Sequence, residues 1–203
     1  MKIDPRAISA RECYKLLIGS IVPRPIAWVS TVGEDGVDNV APFSFFTSVC
    51  TYPPTVCFTA IRRAGEKKDT VRNIEYTGDF VINLVTEELA EAMNISCGDY
   101  LPEVDEFQVA GLTAIPGDKV RSPRVAESPI SLECKLVQMI ELGEGEHRTS
   151  VPFGEVVQFH IKDEFLHDGR IDMEMLQPVG RLAGDLYTKT RQIFEMKRPR
   201  VGR

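Results

Sequence analysis

Ile26-Ala27-Trp28-Val29-Ser30-Thr31-Val32, then Glu34-Asp35-Gly36, then Val37-Asp38-Asn39-Val40-Ala41-Pro42, is the stretch that decides the fold. The first run is rich in β-branched and aromatic side chains, which predicts a strand. The acidic pair before Gly36 predicts a tight hairpin turn, with 37–41 as the return strand. Pro42 has no N–H to give to a ladder, so that strand belongs at an edge or a kink. Working outward, Phe43 to Val49 continues in extended form and Pro53-Pro54 punctuates it. Thr55 to Ile61 predicts a buried strand. Further strands are predicted over 80–85, over 130–137, which alternates cleanly, and over 153–161. Helices are few and short. Ser9 with Glu12 forms a capping box opening 10–17, ended by Gly19. Asp69 or Thr70 caps a second helix. Thr86 caps a third over 87–94, and 182–194 holds a last one. Strands joined by short turns, with small helices as decoration, predict a mainly β (α+β) antiparallel barrel. No G-x-G-x-x-G joins a strand to a helix, which disfavours a Rossmann fold.

Composition narrows the function. The chain has 203 residues, 24 Lys plus Arg and 30 Asp plus Glu, for a net charge of −6. An acidic surface repels phosphate backbones, so a nucleic-acid partner is not expected. No apolar run reaches membrane-spanning length, and no apolar segment follows the N-terminus as in a signal peptide. A cytoplasmic protein is expected. Cys13, Cys50, Cys57, Cys97 and Cys134 are scattered, with no C-x-x-C pair. They read as reduced apolar filler rather than as disulfides or a zinc site. His147, His160 and His167 have no metal-ligand spacing, so no metal is expected. One domain over 1–203 is expected, with 96–128 a loop-rich excursion and 189–203 a basic tail.

The charge is unevenly placed. From Asn73 to Asp118 there is no Lys or Arg among 46 residues, against ten acids. Immediately before, Arg62 to Arg72 holds five basic residues and two acids. A basic cluster inside an acidic chain suits one small anion; a polar loop leading into a helix is the plainer reading.

Three clusters can carry chemistry. In Asn39 to Ser48, Pro42 frees neighbouring backbone groups to read the edge of a planar heterocycle, while aromatic faces cover it. The alternative is a strand kink with three core phenylalanines. In Arg62 to Thr70, cations meet a helix N-terminus, which makes an anion site with Thr70 as hydroxyl donor. The alternative is a solvated turn with an ordinary cap. In Pro178 to Tyr187, two glycines flank Arg181, which permits close backbone approach; a plain loop is the alternative. No serine–histidine–acid set can be assembled, because all three histidines follow residue 146 and no G-x-S-x-G elbow exists. No catalytic side chain is singled out. In an enzyme of this sequence the reactive group belongs to a cofactor.

Taken in order, several segments resemble the flavin reductase-like family. They are Arg24-Pro25-Ile26-Ala27-Trp28-Val29-Ser30-Thr31, Asp35-Gly36, Asn39 to Phe46, Pro53-Pro54, and Lys68-Asp69-Thr70 with Asn73-Ile74. Gly111-Leu112, Pro123-Arg124-Val125, Glu127-Ser128-Pro129 and Arg181-Leu182 with Gly184 and Tyr187 extend the match over nearly the whole chain. The chain departs from a common family pattern at Cys50, where many members carry Ser.

The resemblance implies a six-stranded antiparallel Greek-key FMN-binding split barrel that forms a homodimer, with FMN near the interface. It implies that Asn39, Ala41, Pro42, Phe43, Ser44, Phe45, Thr47 and Ser48 line the isoalloxazine and ribityl chain, with Ser30 and Thr31 beside them. Arg62, Lys67, Lys68 and Thr70 fall on the phosphate side. Trp28 packs near the ring, and Arg181 and Tyr187 close the site. The implied activity is an NAD(P)H:flavin oxidoreductase passing electrons to an acceptor or a partner monooxygenase, with FAD as a less favoured flavin. Two alternatives accompany it: a flavoredoxin-type electron carrier with tightly bound FMN, and a non-catalytic flavin-binding protein.

Overall fold

The computed structural model describes residues 1–199 and 201. The strands are β1 (Ala27–Val32), β2 (Asp38–Phe43), β3 (Phe46–Thr51), β4 (Pro54–Phe58), β5 (Ala60–Ile61), β6 (Asp79–Asn83), β7 (Ala114–Ile115), β8 (Arg124–Val125), β9 (Ile130–Leu142), β10 (Thr149–Ile161), β11 (Leu166–His167), β12 (Arg170–Ile171), β13 (Val179–Arg181) and β14 (Tyr187–Lys189). The α-helices are α1 (Ala10–Ser20), α2 (Asp69–Thr77), α3 (Ala90–Ile95), α4 (Glu106–Val109) and α5 (Met173–Leu176).

Eight strands form one antiparallel sheet in the order β2-β1-β6-β9-β10-β4-β3, with β5 also on β10. The two end strands, β2 and β3, are joined by only Ser44 and Phe45. Three Cα steps span at most about 11 Å, so the sheet must curl until its ends meet. That is the split barrel, built from eight strands rather than six. Pro42 lies opposite Trp28 on β2, an end strand, where its missing N–H costs no ladder bond. Gly36 turns the β1–β2 hairpin at φ +82°.

β1 is buried on both faces because two cores use it. Ala27 and Val29 point into the barrel with Phe43, Phe58 and Phe80. There Phe58 packs 4.7 Å from Phe43 and edge-on, at 5.6 Å, to Phe80. Trp28 points the other way, into a second cluster with Met93, Phe107 and Val125 from the 96–128 excursion and its flanks. Carboxylates of the base-free stretch and of β9 tie that excursion down. Asp79 accepts the N–H groups of Arg121 and Ser122, and Glu133 those of Asp118 and Lys119.

Several local expectations are corrected. The α2 cap is Lys68, without a side-chain cap bond, and Asp69 is the first helical residue. Thr86 pairs with Pro178 instead of capping, and its helix begins at Ala90. Residues 182–194 hold no helix; they carry the turn after β13 and the strand β14 that pairs back onto it. All five cysteines are free, but Cys50 and Cys97 are exposed and so are not core filler. No helix among the described residues is long and apolar enough to cross a membrane.

Candidate functional site

The first two sequence clusters meet in space. A hollow of about 330 Å³ is walled by Asn39 to Phe43 on β2 and by Lys67 to Thr70 at the start of α2. Its third wall, Ser96 to Pro102, opens the excursion. Pairing within the sheet sets Asn39 opposite Thr31, and α2 packs over that end of β1 and β2.

The floor is a buried polar network. Thr70 and Thr31 donate their hydroxyls to Asn39 Oδ1 at 2.9 and 3.3 Å, and Asn73 donates to Thr31. Asn39 Nδ2 and the Val40 N–H donate to the Glu106 carboxylate at 2.9 and 3.3 Å. Glu106 is only 7% exposed. Burial pushes its carboxyl up to about 7, helped by Asp69 and opposed by those hydrogen bonds. Thr70 is buried with its proton committed to Asn39, so its hydroxyl is no free donor. The first N–H groups of α2 have no partner within the helix and no side-chain cap.

The basic island is largely neutralised. Arg62 pairs with Glu141, Lys67 with Glu75 and Glu141, Arg72 with Asp69, and Arg63 with Asp99 across the hollow. Lys68 is the one cation of the cluster without a carboxylate partner among the described residues, and it lines the hollow. Arg62 instead turns to Glu141 and the Gly65 carbonyl, away from the hollow.

Other expected residues are placed elsewhere. Trp28 is fully buried, donating Nε1–H to Ser96 Oγ at 2.9 Å, so it packs behind the wall. Ser30 is also fully buried, held by Pro123 and Asn83. Thr47 and Ser48 are exposed on β3 and do not line the hollow. Ser44 and Phe45 line a side lobe with Pro42, Phe43 and Lys68. Arg181 and Tyr187 line an adjoining hollow that shares Pro42 and Cys97 with the main one. Sequence reasoning did not single out Glu106, Tyr100 or Cys97. For Glu106 a signal existed: Asp105 caps α4, just before the apolar pulse at Phe107.

Asp118, Glu133 and His160 also converge within 4.8 Å. Both Glu133 oxygens already accept backbone N–H groups, and Oε1 also meets His160 Nε2 at 2.6 Å. Burial pushes Glu133 up, and these donors outweigh it, leaving the carboxyl below its usual range. The trio clasps the excursion to β9 and β10.

An end-strand edge, one cation without a carboxylate partner among the described residues and a helix N-terminus suit a planar ring carrying a phosphate. The flavin reductase-like domain model matches residues 18–174. The chain belongs to that family. An uncharacterized protein of Halalkalibacterium halodurans is 42% identical, covering 99% of this chain and 98% of its own. Among solved structures, nitrilotriacetate monooxygenase component B from Bacillus cereus superposes with a TM-score of 0.93 at 38% identity, covering 97% and 98% of the two chains. The 2-nitrobenzoate 2-nitroreductase of Pseudomonas fluorescens gives 0.89 at 30% identity, covering 98% and 96%. Family and neighbours support a flavin-binding oxidoreductase of flavin reductase type.

Proposed function

We propose that this family member binds FMN in the main hollow and acts as an NAD(P)H:flavin oxidoreductase. The observation that carries the reading is the convergence of the Asn39–Phe43 edge with Lys68 and the α2 N-terminus in one hollow. A single unpaired cation beside one helix start matches one phosphate monoester, which favours FMN over FAD. The chemistry a flavin supplies is acceptance of hydride from a reduced nicotinamide. The chain's own contribution is positional. Pro42 and Phe43 offer an apolar wall, the β2 backbone offers hydrogen-bonding groups, and Glu106 with Asn39 fixes the geometry of that backbone. A homodimer and a monooxygenase partner belong to the same proposal. The relatedness to a monooxygenase component B supports the partner.

Anaerobic titration of the FMN-loaded protein with NADH and NADPH, followed by flavin absorbance, tests the reading. Bleaching by either donor is expected; a flavin left oxidised at saturating donor refutes the reductase role. The Arg63–Asp99 pair, which links two walls of the hollow, favours a second reading. In that reading FMN is retained and the protein carries electrons, as a flavoredoxin does. The FMN dissociation constant separates the two, because a released product needs weak binding.

A further inference from the structure

The hollow beside the main one carries a charge pattern that the flavin reading does not use. Arg24 is 5% exposed. Its guanidinium donates to the carbonyls of Ile18, Ile21 and Leu182 at 2.7 to 2.9 Å and faces Ser44 Oγ at 3.4 Å. All four partners are neutral, and no carboxylate pairs with Arg24 among the described residues. Arg181 lines the same hollow, stacked 4.4 Å from the Tyr187 ring, and is likewise without an ion pair among them. Among the described residues no Asp or Glu lines this space. Burial holds the Arg24 guanidinium below its usual value; Tyr14 opposes this, and Arg181 adds a smaller repulsion. Ile18 and Ile21 lie at the C-terminal end of α1, whose partial negative charge offsets part of the burial cost of Arg24; a full countercharge beside Arg24 and Arg181 would offset more of it.

We infer that this second hollow is a binding subsite for a single-ring carboxylate. Its anionic group sits between Arg24 and Arg181, and its ring lies among Tyr14, Ile26 and Tyr187. The volume, about 180 Å³, matches one substituted ring and is too small to bury a dinucleotide whole. Because Pro42 and Cys97 line both hollows, a ring held here lies against the edge of the main one. The subsite's role as a second-substrate position rests on the flavin reading; its existence does not.

Calorimetry with benzoate and its neutral analogue benzamide, on protein with and without FMN, is the test. Benzoate should bind at least about tenfold tighter than benzamide, the size of effect a charge-assisted hydrogen bond gives. In Arg181→Gln that ratio should fall toward unity, and Arg181→Lys should keep most of it. Using the ratio cancels general loosening of the site. Equal affinities, no benzoate binding at millimolar concentration, or an unchanged ratio in Arg181→Gln would overturn the proposal. If the protein takes up no FMN, the main-hollow reading fails, while the benzoate ratio still decides the subsite.

Discussion

Lys67 and Lys68 are neighbours with opposite duties. Lys67 is spent on Glu75 and Glu141, so it joins α2 to β9, while Lys68 faces the hollow unpaired. Lys68→Glu should therefore raise the FMN dissociation constant at least about tenfold with little change in unfolding midpoint. Lys67→Glu should lower the midpoint and affect FMN less. Equal losses of binding and stability in Lys68→Glu would contradict the assignment. Glu106 offers a pH signature. Its carboxyl titrates near 4.5 ordinarily and near 7 in the fold. The folded state thus holds an extra proton between those values, and its stability falls as pH rises through that window. Glu106→Gln cannot titrate. The stability of the natural protein relative to this variant should drop between pH 5 and pH 8, by at most about 3 kcal/mol. Urea midpoints at both pH values check this, and a constant difference would rule it out. At this scale the sequence displays chemistry but not pairing. The five cations of 62–72 were visible, yet Arg62 and Lys67 pair with Glu141 on β9, up to 79 residues away, and Arg63 with Asp99 of the excursion. Thr70 and Trp28 were likewise recognisable as residue types, but their burial depends on what packs above them.

Elements with local causes were legible. The α1 capping box forms as its Ser9 and Glu12 foretell, with both reciprocal bonds present. The β1–β2 hairpin turns at Gly36, and Gly78 ends α2 in the left-handed conformation. Elements without a local cause were misread. The 182–194 segment has helix-forming residues, but Tyr187–Lys189 pairs as β14 with β13, which is itself bonded to Arg24 and Val85, and that tertiary pairing decides it. The β9–β10 hairpin was seen only in part, because the second half of β9 is largely exposed and loses the apolar alternation, while Pro152 interrupts the buried start of β10. Within this hairpin, Gly154 sits at a register shift beneath the Phe80 ring. A Cβ there would fall 2.4 Å from Phe80 Cζ and 3.0 Å from Cys134 Cβ. Gly154→Ala should cost about 1–3 kcal/mol through overpacking. Adding Phe80→Leu should recover part of that loss, because the two changes share one contact. Chemical denaturation of the two single variants and the double variant measures it, and strict additivity would refute the contact.

At the scale of the whole molecule β2 and β3 approach only where Ser44 and Phe45 join them, and beyond that point β3 has an open edge. Among the described residues β3 pairs only with β4, and Thr47 to Thr51 are exposed, in a stretch without a single charged residue. Exposed strand edges in soluble proteins are usually blunted by charge, proline or a covering element. Here Val49 stands exposed on the strand and Tyr52, at 92% exposure, projects from the turn that follows. Such an edge is consistent with a second copy of the chain as its cover, which is the homodimer proposed above. Thr47 and Ser48, away from the hollow of their own chain, would then lie at the junction between copies, where a site completed by a partner could use them. Light scattering should give twice the chain mass for the natural protein. Val49→Lys together with Tyr52→Glu should shift it to the monomer while circular dichroism keeps the β signature. If the FMN site draws on both copies, the same variant should also bind FMN more weakly. Weaker binding in a variant that stays dimeric would instead place the effect within one chain.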